Sequence, residues 1–352
     1  MKALRARSLG AWLGVLALLL LCSMTAGVAL GSVNVPPLVV WRVVLGELFG
    51  SSSSPADISV QQHQIVWLVR APRVLMAALV GAGLATVGVV MQAMVRNPLA
   101  DPYMLGVSSG ASVGAVSVLA WGSFAFAGVY AISAGAFVGA LIATMAVYWL
   151  ARGRARVQQS TRLILSGVAV GYFFTGLTSL ITLTSGQRDL AGALMTWTLG
   201  SLAGTQWSHL SLPALVLLAG MVWLALQTQA LNALMMGDET AATLGVNTHA
   251  LRRTLFVVVS LLTGVMVAAS GAIGFVGLVV PHVARMLVGS DHRRVLPVAA
   301  VMGALFLVVV DLLARVLFSP MDVPVGVITA LIGGPFFVWL LMRQTPARKE
   351  LQ

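Results

Sequence analysis

The chain has 352 residues, 59% of them hydrophobic and 9% charged, with a formal charge of +11. Soluble domains carry roughly a quarter charged residues, so no water-soluble fold can bury this sequence and a polytopic membrane protein is implied. The basic residues sit in short loops between apolar runs, where they set membrane orientation. This argues against nucleic acid as a partner, and the single cysteine, Cys22, excludes a disulfide framework or a metal-thiolate cluster.

Lys2, Arg5 and Arg7 precede an apolar run from Leu9 to about Gly31. It is longer than a signal-peptide core and reads as an uncleaved first span with the N-terminus in the cytoplasm. Residues 32–69 carry Pro36-Pro37, Glu47, Ser51 to Ser54 and Gln61 to Gln64, too polar for lipid. They are expected outside, with a short interfacial helix around Val39 to Phe49. The second span returns inward over Pro72 to Val95, about 30 to 36 Å at the helical rise. At its exit come Arg96 and then Asn97-Pro98-Leu99-Ala100-Asp101-Pro102, where two prolines force a non-helical turn, a candidate gate.

Span three is expected from about Tyr103 to Gly122 and span four from about Phe126 to Leu150, closed by Arg152, Arg154 and Arg156. Span five covers about Leu163 to Thr184, Ala191 to Trp207 suits an external or interfacial helix, and span six covers about Leu210 to Leu226. Residues 227–253 are the longest polar interruption of the second half, placed inside as a partner surface. Spans seven (about Thr254 to Ser270), eight (about Leu278 to Val288), nine (about Val295 to Ala314) and ten (about Pro324 to Met342) follow, and Arg343 to Lys349 put the C-terminus inside. The expectation is an all-α polytopic membrane protein of about ten transmembrane helices, one domain over 1–352. Of the 21 Lys and Arg, this topology leaves only Arg42, Arg70, Arg73, Arg188 and Arg315 outside. Those five oppose the positive-inside bias and need a reason.

Seven stretches taken together resemble the FecCD-type permeases, membrane subunits of ABC importers for ferric siderophores, haem and cobalamin. They are Arg70-Ala71-Pro72-Arg73, the run from Gln92 to Ala100, Leu105 to Ala111 (LGVSSGA), Trp197 with Gly200-Ser201-Leu202, Ala242 to Val246 (ATLGV), Gly271 to Arg285 (GAIGFVGLVVPHVAR), and Pro324-Val325-Gly326 with Gly333-Gly334-Pro335-Phe336. They follow the family's order along nearly the whole chain. The resemblance implies a type II ABC importer permease fold in the cell inner (cytoplasmic) membrane. It also implies a second permease subunit (a homodimer or paralogue), two ATPase subunits, and a periplasmic or lipid-anchored substrate-binding protein. No GxxxxGK followed by Ser or Thr occurs in the chain, so ATP and magnesium are expected on the partner ATPase, with no cofactor, metal site or catalytic residue in this chain.

By the same resemblance Arg70, Arg73 and Arg315 match positions whose arginines meet acidic residues of the binding protein, a use that suits the rigid guanidinium fork. Lipid-headgroup anchoring or an internal pair are the alternatives, since Asp311 lies one helical turn before Arg315. Residues 227–253 match the coupling segment that enters a cleft of the ATPase. There Gly237 is expected to break one short helix and Asp238 to cap the next, with Ala241, Ala242 and Leu244 forming a small apolar face ended by Gly245; the alternative is a solvated loop. Asn97 and Leu99 match one part of the family's cytoplasmic gate and Ser160 and Thr161 the other, against an inert tight turn. Gly167, Gly171, Thr175 and Thr178 put a small, mildly polar face on span five, the helix with which the family lines its pathway.

Gly106, Gly110 and Gly114, with Gly135 and Gly139, are spaced four apart and read as close helix packing rather than substrate contact. Pro281-His282 reads as a structural helix break, because no second histidine or carboxylate lies at ligand spacing. The expected cargo is a ferric siderophore, then haem, then cobalamin. A secondary transporter working without an ATPase is the alternative, but it needs midplane ionisable groups, and Asp311 beside Arg315 is the only acid well inside a span.

Overall fold

A computed structural model of the chain describes residues 9–50, 58–151, 159–319 and 321–343. The basic N-terminal residues, Ser51 to Ser54, the Arg152 to Arg156 cluster and the tail through Lys349 lie outside the described residues. Those described form helices and no strand, as expected where lipid offers the backbone no hydrogen bonds.

The first helices are α1 (Leu9–Ala29), α2 (Pro37–Phe49), α3 (Val60–Gln64) and α4 (Ala71–Val95). A capping box of Ser59 and Gln62 starts α3, and a π-helical turn over Ile65–Arg70 carries it into α4 without a break. Residues 60–69, expected in the external segment, are therefore helical and continuous with the second span, in one helical stretch of 36 residues from Val60 to Val95. The apolar Ile65-Val66-Trp67-Leu68-Val69 outweighs the polar residues before it. His63 Nε2 lies 2.8 Å from Glu47 Oε1 and ties α3 to α2.

The middle of the chain forms α5 (Val107–Trp121), α6 (Ala131–Ala151), α7 (Gln159–Thr184), α8 (Leu190–Thr198) and α9 (Ser211–Leu226). The remainder forms α10 (Thr228–Met235), α11 (Asp238–Thr243), α12 (Thr248–Ser270), α13 (Val276–Val288), α14 (His292–Val316) and α15 (Val325–Arg343). The expected helix from Ala191 to Trp207 stops at Thr198, because Gly200 and Gly204 both take left-handed φ of 74°. Residues 248–253, read as part of the polar interruption, are the first turns of α12.

Among the described residues eight helical stretches are long and apolar enough to cross a membrane. Two further apolar helices complete the expected ten, but α5 has 15 residues and α13 has 13. They span about 22 and 20 Å against a hydrocarbon thickness of about 30 Å. Spans three and eight are thus short helices, the first preceded by a 3-10 turn over Pro102–Leu105 and the second by irregular chain. Left-handed residues open both: Gly106 before α5, and Gly271 and Phe275 before α13. Gly106 therefore serves a turn as well as a helix contact, since a Cβ on it would stand 3.4 Å from Val170 of α7 and 3.8 Å from Val147 of α6.

Helix α4 is the hub. Val80 through Val95 are buried with the exception of half-buried Ala82, because α4 packs on α12, α13 and α14. Glycine makes these approaches possible: a Cβ on Gly81 would stand 2.1 Å from the carbonyl oxygen of Gly303, and one on Gly88 would stand 1.9 Å from that of Gly277. Helices α5 and α6 cross in the same way, with Gly114 against Gly135 and Gly110 against Gly139. Gly88 lies seven residues before the end of α4, about 10 Å along its axis. The start of α13 is therefore held well inside the apolar slab.

Replacing Gly88 with Val should separate α4 from α13 and cost on the order of 1–3 kcal/mol or more. A Gly14→Ala variant, with nothing within 4 Å of its new methyl group, should not. Thermal unfolding of the two purified variants in detergent distinguishes them, and equal stability would contradict this packing.

Candidate functional sites at the two ends of a buried helix

At the N-terminal end of α4 stand Arg70, the last residue of the π-turn, and Arg73, in the first helical turn. Both are buried, at 5% and 7% exposure, as is Arg315 at 8%. Arg70 Nη1 donates to the carbonyl oxygens of Val28 and Ala29 at 2.9 and 3.0 Å, and Nη2 donates to Val33. Arg315 Nη2 donates to Gly27 O at 2.7 Å. Gly27, Val28 and Ala29 carry carbonyls that the end of α1 leaves without helical partners, Val33 lies in the connection beyond it, and a cation there also suits the helix dipole.

Asp311 is fully buried and uses both oxygens: Oδ1 accepts from Arg73 Nε at 2.9 Å and Oδ2 from Arg315 Nε at 3.1 Å. Arg73 Nη1 donates to Asp322 Oδ2 at 2.9 Å. The internal pair between Asp311 and Arg315 therefore exists, extended by Arg73 and Asp322 into a four-residue cluster. The three arginines read as docking residues are turned into the chain rather than displayed on it.

The C-terminal end of α4 is built from polar turns. Arg96 caps the helix with φ of 55°. Asn97 Oδ1 accepts from Leu99 N–H at 2.9 Å and Asp101 Oδ1 from Tyr103 N–H at 2.8 Å, two side-chain turns either side of Ala100. Leu99 is half-buried. The Tyr103 hydroxyl then donates to Ile273 O at 3.0 Å and accepts from Ile273 N–H at 2.9 Å. One side chain satisfies both backbone groups of a residue in the irregular stretch before α13. Ser201 N–H donates to Ser270 O at 2.8 Å, so the chain after α8 meets the last residue of α12, where that stretch begins.

Pro281 does not break α13, contrary to expectation; the helix runs through it. Its missing N–H frees the carbonyl of Gly277 four residues earlier, and Gln92 of α4 supplies the donor, with Nε2 at 3.5 Å from Gly277 O and 3.4 Å from Leu278 O. Gln92 Oε1 in turn accepts from Arg285 Nη1. Sequence reasoning missed this role of Gln92. A proline inside an apolar helix, with its orphaned carbonyl, was the available signal.

The 227–253 segment contributes α10 and α11, split at Gly237 with φ of 114°. Gly237 itself is the N-cap of α11, and the Asp238 side chain does not cap it, which corrects the expected division of labour. The Asp238 carboxylate instead accepts from Arg252 Nη2 at 2.8 Å and Arg96 Nη2 at 3.3 Å, while Arg252 Nη1 donates to Met94 O. The start of α11 is thereby bonded to the end of α4 and the beginning of α12. Ala241 is buried, Ala242 is exposed, Leu244 is 63% exposed and Gly245 ends the element with φ of 81°. Asn232 of α10 donates to Asp291, the N-cap of α14, at 2.8 Å. That bond holds the Asp291 carboxyl below the usual carboxylate range.

On α7, Gly167 lies against Met104, where a Cβ would stand 1.7 Å from the carbonyl oxygen. Gly171 faces Ser109, and Thr178 is buried. Gly167 and Thr178 thus serve packing within the chain, while Gly171 is half-buried and Thr175 is exposed. The open face of α7 is carried by Leu165, Val168, Tyr172, Phe173, Leu180 and Leu183. Thr161 is exposed, and Ser160 belongs to the first turn of the same helix.

Residues 16–343 match the family described as the FecCD transport family. The hemin transport system permease protein HmuU of Yersinia pestis is 42% identical over 287 residues, 80% of this chain and 85% of that protein. The vitamin B12 import system permease protein BtuC of Klebsiella pneumoniae is 38% identical over 332 residues, covering 94% of this chain and 93% of that one. A solved metal-chelate type ABC transporter in an inward-facing conformation is 31% identical and superposes with a TM-score of 0.80, over 94% of this chain and 98% of its own.

Replacing Asp311 with Asn leaves two buried arginines with one counterion fewer, and loss of one partner from such a cluster costs about 3–5 kcal/mol. A fall in thermal stability well beyond that of the exposed variant Glu239→Gln is expected. Equal stability of the two variants would show that the cluster does not hold α1, α4 and α14 together.

Proposed function

The chain belongs to the FecCD transport family, a permease subunit of an ABC importer, and from that premise we propose that it forms half of a conduit for a bulky metal chelate. The observation that carries the reading is α4, buried along its length and bonded at one end to α11 through Asp238 and at the other to the arginine cluster. A push at either end is felt by the same helix. The alternative of a secondary transporter is set aside by the family, and Asp311, the acid such a mechanism would use, is paired with two arginines, one on each oxygen.

In this reading the membrane is the cell inner membrane, both termini are cytoplasmic, and α10 and α11 face the cytoplasm. Met236 and Leu244, exposed beside Gly245, enter a cleft of a separate ATPase that holds the ATP and magnesium. Asp238 passes the motion to Arg96 and so to Asn97 and Leu99, the gate that Ser160 and Thr161 complete. A second permease covers the open faces of α7 and α15. A periplasmic or lipid-anchored binding protein docks at the end that carries Arg73.

The relatives' names concern hemin and vitamin B12, each a metal ion within a large organic ring, and the solved structure is of metal-chelate type. A ferric siderophore belongs to the same size and chemistry and is the first cargo to test, before haem and cobalamin. The membrane subunit offers such a ligand an apolar path lined by α7, with the specific grip left to the binding protein.

Leu244→Arg should lower ATP-driven uptake into proteoliposomes holding the whole importer by at least about tenfold, since it drives a charge into an apolar contact worth more than 1.4 kcal/mol. The folded yield should be unchanged; normal uptake would refute the coupling role. Leu99→Cys in a Cys22→Ser background should cross-link between the two permeases in one nucleotide state and not another. Linking that ignores nucleotide would refute the gate.

A further inference from the structure

The three arginines at the outer end of α4 are not equivalent. Arg70 and Arg315 spend donors on the carbonyls that end α1, and neither can turn outward without uncapping that helix. Arg73 makes two bonds, both to carboxylates. One of these, Asp311, is fully buried, one turn from Arg315 on the same helix, and holds both arginines at once. The other, Asp322, is on the non-helical connection before α15, its side chain is 53% exposed, and among the described residues its ion pair is with Arg73 alone.

We propose that Asp322 is an internal stand-in for the binding protein: it occupies Arg73 Nη1 in the free permease and yields it to an acidic side chain of the docking partner. The proposal rests on the reading that the binding protein docks at this end. The exchange swaps one carboxylate for another, so the pair of Arg73 and Arg315 never loses its second counterion. Asp322 is already half in water and is rehydrated at little cost, whereas a carboxylate at Asp311 has no route to solvent. Of the three arginines Arg73 is the contact residue, and Arg70 and Arg315 position it by holding the end of α1. The stand-in also keeps an unpaired guanidinium from binding stray anions before the partner arrives.

The test uses the assembled importer in nanodiscs and its cargo-free binding protein, with affinity read by biolayer interferometry. Asp322→Asn should bind about two- to fivefold tighter than the unmodified importer, the range for relief of competition from a half-exposed ion pair. Asp322→Glu, which restores a carboxylate, should return most of the way to the unmodified value. In the Arg73→Gln background, Asp322→Asn should add nothing. If Asp322→Asn binds no tighter while Arg73→Gln still weakens binding, the stand-in is refuted and the docking site survives. If neither substitution moves the affinity, docking at this end is refuted as well. Should Arg73→Gln not fold, the comparison of Asp322→Asn with Asp322→Glu decides the proposal by itself.

Discussion

Every backbone group released inside an apolar slab must find its partner within the chain, because lipid offers none. This constraint explains the most specific contacts of the molecule. Helix α13 begins inside the slab, and the irregular stretch before it carries free N–H and C=O groups. Tyr103 takes both groups of Ile273, Ser201 meets Ser270, and Gln92 supplies the donor that Pro281 lacks. At the N-terminal end of α4 Arg70 and Arg315 do the same for the last carbonyls of α1. Polar residues that would look misplaced in a hydropathy plot are the reason that broken helices are tolerated.

The same contacts make α4 a rigid link between two surfaces. Its sides are closed by glycine-mediated approaches to α13 and α14, so it cannot bend locally without separating backbones that already touch. Its two ends carry the charged groups. A carboxylate at the start of α11 grips it at one end, and a buried carboxylate on α14 grips it at the other. Alternating access requires two arrangements whose balance shifts with what binds at each face. A stiff helix with an ionic joint at both ends suits that requirement, since a joint can re-pair at the surface while the helix between moves as a body.

Much of the candidate site is legible in the order of residues along the chain. The Pro-bounded turn after Val95, the split of the 227–253 segment at Gly237 and the proximity of Asp311 to Arg315 all follow from spacing within one stretch. Roles that depend on a distant partner are not legible there. Asp238 reads as a helix cap by position, yet Gly237 caps and Asp238 bonds to arginines beyond its own helix, Arg96 and Arg252. Gly167 and Thr178 read as a polar stripe open to a pathway, yet both are buried, Gly167 beneath the turn at Met104 more than sixty residues earlier in the chain.

Composition and the distribution of apolar runs by themselves determined that this is an all-helical membrane protein with ten apolar helices among the described residues, and the ordered motifs identified its family. Those are local properties, summed over windows no longer than a helix. The tertiary structure alone decided that two of the ten are short, that Arg70, Arg73 and Arg315 are satisfied within the chain, and that Asp322 is the water-exposed partner of Arg73. The physical reason is that a buried charge or orphaned carbonyl is stable only beside its counterpart, and which counterpart reaches it depends on helix crossings that no single stretch of sequence encodes.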